Sequence, residues 1–240
     1  MKIAIIGAGN MGGATALGLA AALPEAAITV TAKHAATLER FAARGLRTSL
    51  DNVAAARDAE VVVLAVKPWL AQGVLDELRP VLPGKVLVSF VAGAYTVIPN
   101  LAVEVGQSMT FIHELCGTQE TLAVVRGLFD AVGRTAVVDE KRLNAGMMLA
   151  SCGTAFALRY VRASAEGGVE LGLYPKEALE AVLQTVRGAA DLLEAHGTHP
   201  EAEIDRVTTP GGITIKGLNA MEEAGFSAAV VAGLKAWKPK

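Results

Sequence analysis

Cysteine is scarce: Cys116 and Cys152 stand far apart in 240 residues. Two thiols make no disulfide scaffold and fit a reducing compartment, so the cytoplasm is the expected location. Positive charge is never concentrated. The net charge is −2 and no basic run occurs, which argues against a nucleic-acid partner. Long apolar runs are also missing. None reaches membrane-spanning length without glycine, proline or charge, so no membrane partner is expected. Metal-ligand spacing is absent too. His113-Glu114 near Cys116 comes nearest, matches no usual site and reads as a helix surface. No metal is expected. Aromatic residues make up only 5%, while alanine is abundant, which suits closely packed helices.

What the sequence has begins at its first residues. Lys2-Ile3-Ala4-Ile5-Ile6 is a short apolar strand that runs into Gly7-Ala8-Gly9-Asn10-Met11-Gly12, and an Ala-rich helix follows over 11–22. In such a G-x-G-x-x-G loop the first glycine permits the tight turn. The second lets the backbone approach a pyrophosphate, and the third lets helix and strand pack closely. A secretory signal is the bland alternative, but five glycines and Asn10 make a poor apolar region.

Strands are expected at 2–6, 27–31, 61–66, 85–91 and 134–139, and helices at 11–22, 35–44 and 71–78. Continuous apolar runs of this length suit parallel strands buried on both faces. The expected fold is α/β: an N-terminal Rossmann-type doubly wound sheet over 1–139, then an all-helical dimerisation and substrate domain over 140–240. Long helices are expected there at 141–166, 176–196 and 214–235, punctuated by Gly167-Gly168, Gly172-Leu173-Tyr174-Pro175 and the 196–200 segment. So much apolar helix in so small a domain calls for a partner, and an interlocked homodimer is the expected solution, with a higher homo-oligomer as an extension.

Two local patterns point to chemistry. The second strand ends in Thr31-Ala32-Lys33-His34, with no carboxylate for a ribose 2′-hydroxyl. Lys33 is placed to meet a 2′-phosphate, so NADP (NADPH) is expected ahead of NAD. Near the other end stands Val207-Thr208-Thr209-Pro210-Gly211-Gly212-Ile213-Thr214, leading into a helix. A turn feeding a helix N-terminus presents backbone N–H groups to an anion such as a carboxylate, and threonine hydroxyls beside it can donate to a second polar atom. A plain capped loop is the bland reading. Between Leu143 and Glu166 there is no lysine to serve as the base that an alcohol substrate needs. Cys152, in Ser151-Cys152-Gly153-Thr154-Ala155, reads as a buried thiol rather than a nucleophile.

The glycine loop, Leu64-Ala65-Val66-Lys67-Pro68, Ile98-Pro99-Asn100, His199-Pro200 with Asp205 and Val207, and Thr208-Thr209-Pro210-Gly211-Gly212 with Thr214 together resemble the pyrroline-5-carboxylate reductase family over nearly the whole chain. The resemblance implies NAD(P)H-dependent reduction of a cyclic imine to L-proline, in a helical dimer whose active sites draw on both subunits. By that resemblance Gly7, Ala8, Gly9, Asn10, Met11 and Gly12 hold the pyrophosphate, and Asn52 contacts the adenosine side. Ala65, Val66, Lys67 and Pro68 underlie the nicotinamide ribose. Thr208, Thr209, Gly211 and Gly212 take the substrate carboxylate, and Thr214, with Thr209, serves the chemistry at the ring nitrogen. Two departures stand out. Only Gly93-Ala94-Tyr95-Thr96-Val97 separates the strand ending at Val91 from the Pro-Asn motif, where the family has a further helix and strand. Leu101 stands where the family has Thr. Two other functions stay open: a catalytically impaired cofactor-binding protein with a regulatory or interaction role, and a related reductase acting on another cyclic imine or a deazaflavin.

Overall fold

In the computed structural model, which describes residues 1–91 and 95–237, strand β1 (Lys2–Ile6) lies inside a parallel sheet and is buried on both faces. Helix α1 (Asn10–Ala22), β2 (Ala27–Thr31), α2 (Ala35–Ala42), β3 (Arg47–Ser49), α3 (Asn52–Arg57), β4 (Val61–Leu64), α4 (Pro68–Leu78) and β5 (Val86–Ser89) follow in strand–helix alternation. Then come β6 (Tyr95–Ile98), β7 (Ser108–Glu114), α5 (Gln119–Asp130) and β8 (Gly133–Val137). The eight strands form one sheet in the order β3-β2-β1-β4-β5-β6-β7-β8. All neighbours pair in parallel except β6 and β7.

Strand alternation divides the core into two layers. Ile3, Ile5, Ile28, Val30, Val61 and Val63 pack with Leu19, Phe41 and Phe129 of the helices α1, α2 and α5. Ala4, Ile6, Val62 and Leu64 pack on the other face with Ala55 and Ala56 of α3 and Ala71 and Leu78 of α4. Each large side chain so buried contributes roughly 1.5–3 kcal/mol. Helices on both faces give the doubly wound architecture expected from the sequence.

The structure departs from the sequence reading in several places. β3, α3, β6, β7, α5 and a helix over 200–207 are not among the expected elements. His113 and Glu114 lie on β7, not on a helix, because Ser108, Thr110 and Ile112 alternate inward along a strand. β6 pairs in parallel with β5 at two positions, Val88↔Tyr95 and Ser89↔Thr96, across a link far shorter than a helical crossover. Gly93 and Ala94 of that shortened segment lie outside the described residues. The expected helix 141–166 is instead α6 (Glu140–Gly146), a π-helical stretch (Met147–Cys152) and α7 (Gly153–Glu170). The hydroxyl of Ser151 in the π-helical stretch donates to the Pro99 carbonyl at 2.9 Å.

The chain divides into two compact units, Met1–Thr154 and Ala155–Lys240. The second holds the rest of α7, then α8 (Pro175–His196), α9 (Pro200–Val207), α10 (Ile213–Glu223) and α11 (Phe226–Lys235). One helix was expected over 214–235. Gly225, at φ 84°, breaks it, because a left-handed residue ends a helical hydrogen-bond ladder. Among the described residues of this unit, Val161 and Ala178 are the buried hydrophobics, while Leu158, Tyr160, Leu171, Leu183 and Val230 are exposed. No helix among the described residues is long and apolar enough to cross a membrane.

Candidate active site

The glycine loop leaves β1 at the carboxyl edge of the sheet, where open α/β sheets take their ligands. Gly7 has φ 108°, a conformation that side-chain-bearing residues rarely adopt, and a Cβ there would stand 2.8 Å from the Ala65 carbonyl. A Cβ on Gly12 would come within 2.1 Å of the Gly7 carbonyl and 2.8 Å of the Ala65 methyl. These glycines let the loop, α1 and the end of β4 close up. Gly9 differs: a Cβ there meets nothing within 4 Å. It is the N-cap of α1, and no side chain caps the helix.

The amides of the loop are not equivalent. Gly7 N–H donates to the Thr31 hydroxyl at 3.3 Å, and Ala8 N–H donates to the Thr31 carbonyl at 2.7 Å. Both are spent inside the fold. The N–H groups of Asn10, Met11 and Gly12 belong to the first turn of α1, where backbone amides lack intrahelical partners, and a Cβ on the adjoining Gly9 would meet nothing within 4 Å. Uncapped N–H groups beside open space suit a pyrophosphate, so the residues present fit a dinucleotide. The Gly7 and Ala8 amides thus shape the loop, and those of Asn10 to Gly12 are the ones left to a ligand. The helix dipole of α1 adds partial positive charge at the same point.

Asn52 opens α3, where Asp51 caps the helix by accepting from Ala54 N–H at 2.8 Å. Its side chain lies against the loop: Thr31 Oγ1 donates to Asn52 Oδ1 at 2.7 Å. Ala65 is tied to β1 by its N–H donating to Ile6 carbonyl at 2.9 Å. Val66, Lys67 and Pro68 continue from it, with Pro68 at the first position of α4, whose N-terminus also lacks a side-chain cap. The sequence-derived residues Gly7 to Gly12, Asn52 and Ala65 to Pro68 therefore share one edge. Lys33 is exposed just past the end of β2. Sequence reasoning missed Thr31, which holds two amides of the loop and the Asn52 carboxamide. Its hydroxyl type at a strand end was the available signal.

In the second unit, Pro200 starts α9 after His199, whose ring accepts from Glu201 N–H at 3.3 Å. A hydrogen bond from Thr198 at 2.6 Å, then one from His196, holds the Glu203 carboxyl below its usual range. These bonds fix the entry to α9. At its end the Thr208 hydroxyl donates to Asp205 carbonyl at 3.1 Å, so Thr208 faces a ligand only as an acceptor. Gly212 N–H closes a turn onto Thr209 carbonyl at 2.9 Å, with Pro210 and Gly211 (φ 72°) at its corners. A Cβ on Gly212 would strike the Thr209 hydroxyl oxygen at 2.4 Å, so only glycine lets that hydroxyl lie over the start of α10. Gly212 is the N-cap of α10 and no side chain caps the helix. Thr214 is the second helical residue, half-buried, and among the described residues its hydroxyl has no hydrogen-bond partner. The turn thus holds Thr209, Gly211, Gly212 and Thr214 together at a second helix start without a side-chain cap.

Comparison with known proteins finds a separate family model for each part of the chain. A family model described as "Pyrroline-5-carboxylate reductase dimerisation" matches residues 140–240, and one described as "NADP oxidoreductase coenzyme F420-dependent" matches residues 2–93. The chain is 34% identical to pyrroline-5-carboxylate reductase of Arabidopsis thaliana over 98% of its own length and 93% of that protein. The chain belongs to the pyrroline-5-carboxylate reductase family. It is 33% identical to pyrroline-5-carboxylate reductase 1 of Dictyostelium discoideum over 97% of the chain, but spans about half (48%) of that longer protein. Among solved structures it resembles Plasmodium falciparum pyrroline carboxylate reductase with NADP bound, with a TM-score of 0.87 and 25% identity, covering 98% of this chain and 95% of that one. The alignment with the Arabidopsis family member runs over 258 positions, whereas this chain has 240 residues, so that relative carries residues this chain lacks.

Proposed function

We propose that this protein reduces the C=N bond of 1-pyrroline-5-carboxylate to give L-proline, with NADPH as hydride donor. One observation carries the reading: a single chain holds both an uncapped glycine cradle and an uncapped Thr-Pro-Gly-Gly-Ile-Thr helix start. The cofactor, when bound, supplies the hydride for the imine carbon. The chain supplies position and charge complementarity. Asn10, Met11 and Gly12 hold the pyrophosphate, Gly7 and Ala8 set the loop that presents those amides, Asn52 meets the adenosine side, and Ala65 to Pro68 underlie the nicotinamide ribose. The N–H groups at the start of α10, with Gly211, Gly212 and Thr209, hold the substrate carboxylate. Thr208 fixes the turn from the α9 side. The Thr214 hydroxyl orients the ring nitrogen and donates to the lone pair that develops there as hydride reaches the carbon, with Thr209 beside it. A protonated imine needs no strong base, so positioning supplies most of the rate. NADPH oxidation on adding pyrroline-5-carboxylate tests the proposal; a rate no faster than in buffer would sink it. The short link after β5 favours a second reading, in which NADPH binds tightly but turns over only another cyclic imine or none.

We place the domain boundary at 139/140 and the enzyme in the cytoplasm, as a homodimer. Support for the dimer is the second unit's lack of a core of its own: α9, α10 and α11 have no buried residue. Helices need an apolar partner surface to be stable, and a second copy provides it. Analytical ultracentrifugation at micromolar concentration is expected to show a dimer, with no folded monomer on dilution until the protein unfolds. A stable folded monomer would contradict this.

Lys33 is the proposed 2′-phosphate contact. Lys33→Asp replaces attraction by repulsion at an exposed site and is expected to weaken NADPH on the order of tenfold while improving NADH. Tighter binding of NADH than NADPH by the unmodified protein at moderate salt would refute the cofactor preference.

A further inference from the structure

Thr31 is the last residue of β2, fully buried, in register with Ile6 of β1 and Ser49 of β3. Four hydrogen bonds radiate from it or its partner. Its carbonyl accepts from Ala8 N–H at 2.7 Å and its hydroxyl oxygen accepts from Gly7 N–H at 3.3 Å. An amide N–H can only donate, so the hydroxyl proton is left for Asn52 Oδ1, 2.7 Å away. The same carboxamide then donates through Nδ2 to Glu77 Oε2 of α4 at 3.3 Å. The direction of every bond in this chain follows from the Gly7 amide. It leaves Asn52 with its oxygen engaged by Thr31 and one N–H unspent.

We propose that Thr31 is the positioning residue of the dinucleotide cradle: it holds the loop amides of Gly7 and Ala8 and turns Asn52 so that Asn52 meets the cofactor as a hydrogen-bond donor. This rests on the reading of the glycine loop and Asn52 as cofactor-binding. The ligand atom opposite Asn52 is then an acceptor, a phosphate or ribose oxygen of the adenosine half, and not a hydroxyl proton. Thr31 touches no cofactor atom itself. It lies on the buried side of the loop and acts through Asn52 and the loop amides.

The test is equilibrium titration of the 240-residue protein with NADPH, read by quenching of tryptophan fluorescence and followed by steady-state kinetics with the imine. Thr31→Val keeps shape and removes the hydroxyl. It is expected to raise the Kd and KM for NADPH about tenfold while kcat stays within about twofold, and Thr31→Ser is expected to restore wild-type values. Asn52→Ala should also weaken NADPH, and the double variant should fall short of the combined loss of the two single ones, since they share the Thr31–Asn52 bond while Thr31→Val alone frees the Gly7 amide. Asn52→Asp keeps an acceptor for the Thr31 proton but cannot donate, so it should bind NADPH no better than Asn52→Ala. Weak binding by Asn52→Ala with unaltered binding by Thr31→Val overturns the role of Thr31 alone. Unaltered binding by Asn52→Ala overturns the cofactor reading of Asn52 itself. Should Thr31→Val fail to fold, Asn52→Asp still decides: wild-type NADPH affinity in that variant overturns the donor assignment.

Discussion

Gly12→Ala is expected to lose NADPH binding and stability together, and Gly9→Ala to lose NADPH binding alone. The difference lies in what each added methyl meets. At Gly12 the Cβ would lie 2.1 Å from the Gly7 carbonyl and 2.8 Å from the Ala65 methyl. Neither neighbour can rotate away, because Ala65 is hydrogen-bonded to β1 and the Gly7 and Ala8 amides are held by Thr31. Helix α1 must therefore back off from the sheet. Overpacking of this kind costs about 1–3 kcal/mol, and the first turn of α1 leaves the position from which it can reach a pyrophosphate. At Gly9 nothing lies within 4 Å, so the methyl costs the apo protein little. It stands instead where an anion must approach the uncapped amides of Asn10, Met11 and Gly12. Thermal melts and NADPH titration on both variants measure this. Gly9→Ala should melt like wild type and bind NADPH at least about tenfold more weakly, since a crowded anion site forfeits charge-assisted hydrogen bonds. Wild-type affinity in Gly9→Ala would show that the open space beside α1 is not the phosphate site.

The same loop shows what the sequence reveals and what it hides. The strand–loop–helix start at 2–22 was legible because glycine spacing, a continuous apolar strand and a helical pattern coincide. β4 was legible because Val61 to Leu64 are all buried, so both faces are apolar. β7 was not, because its inward positions include Ser108 and Thr110, which hydrogen-bond to each other at 2.9 Å and disguise a buried face as polar. β3 is a three-residue edge strand with two exposed positions, too short and too polar to leave a pattern. The break at Gly225 was visible as a glycine, but only its left-handed φ shows that it ends a helix. Helix α5 carries a reciprocal cap between Thr118 and Thr121, in which threonine stands where an acidic or amide residue is usual, so the pattern escaped notice.

Site residues follow the same rule. Glycines and threonines grouped in one turn are found by spacing. Thr31 is not: its partners Gly7 and Asn52 are 24 and 21 residues away, and only the parallel register of β1, β2 and β3 brings them together. Nor could spacing show that Thr208 spends its proton on the Asp205 carbonyl, or that the Gly7 and Ala8 amides are spent on Thr31. The motif names the residues of such a site, and the hydrogen-bond directions assign them to packing or to ligand.

Thr214→Val is expected to lower kcat/KM for the imine by about 10²-fold, or about 2.7 kcal/mol of transition-state stabilisation, with folding and NADPH affinity near wild type. Removing one hydrogen bond to a reacting group has an effect of this size because the bond is fully made only as charge shifts at the ring nitrogen. The competing explanation is that Thr214 caps α10, which would cost about 1 kcal/mol of stability and leave the chemistry alone. The geometry opposes it. The N-cap is Gly212, Thr214 lies within the helix, and no side chain caps this end. Valine has the same branching and a similar helix propensity, so the substitution removes a donor and little else. The uncapped N–H groups proposed to hold the carboxylate stay in place, so substrate binding should weaken less than turnover. Thr209→Val is expected to behave differently. Thr209 sits in the turn itself, its hydroxyl over Gly212, so its loss should raise KM for the imine more than it lowers kcat. Kinetics and thermal melts on both variants separate the roles. Unchanged turnover with a lowered melting temperature in Thr214→Val would make Thr214 a structural residue, and would leave the turn as a carboxylate site without a partner for the ring nitrogen.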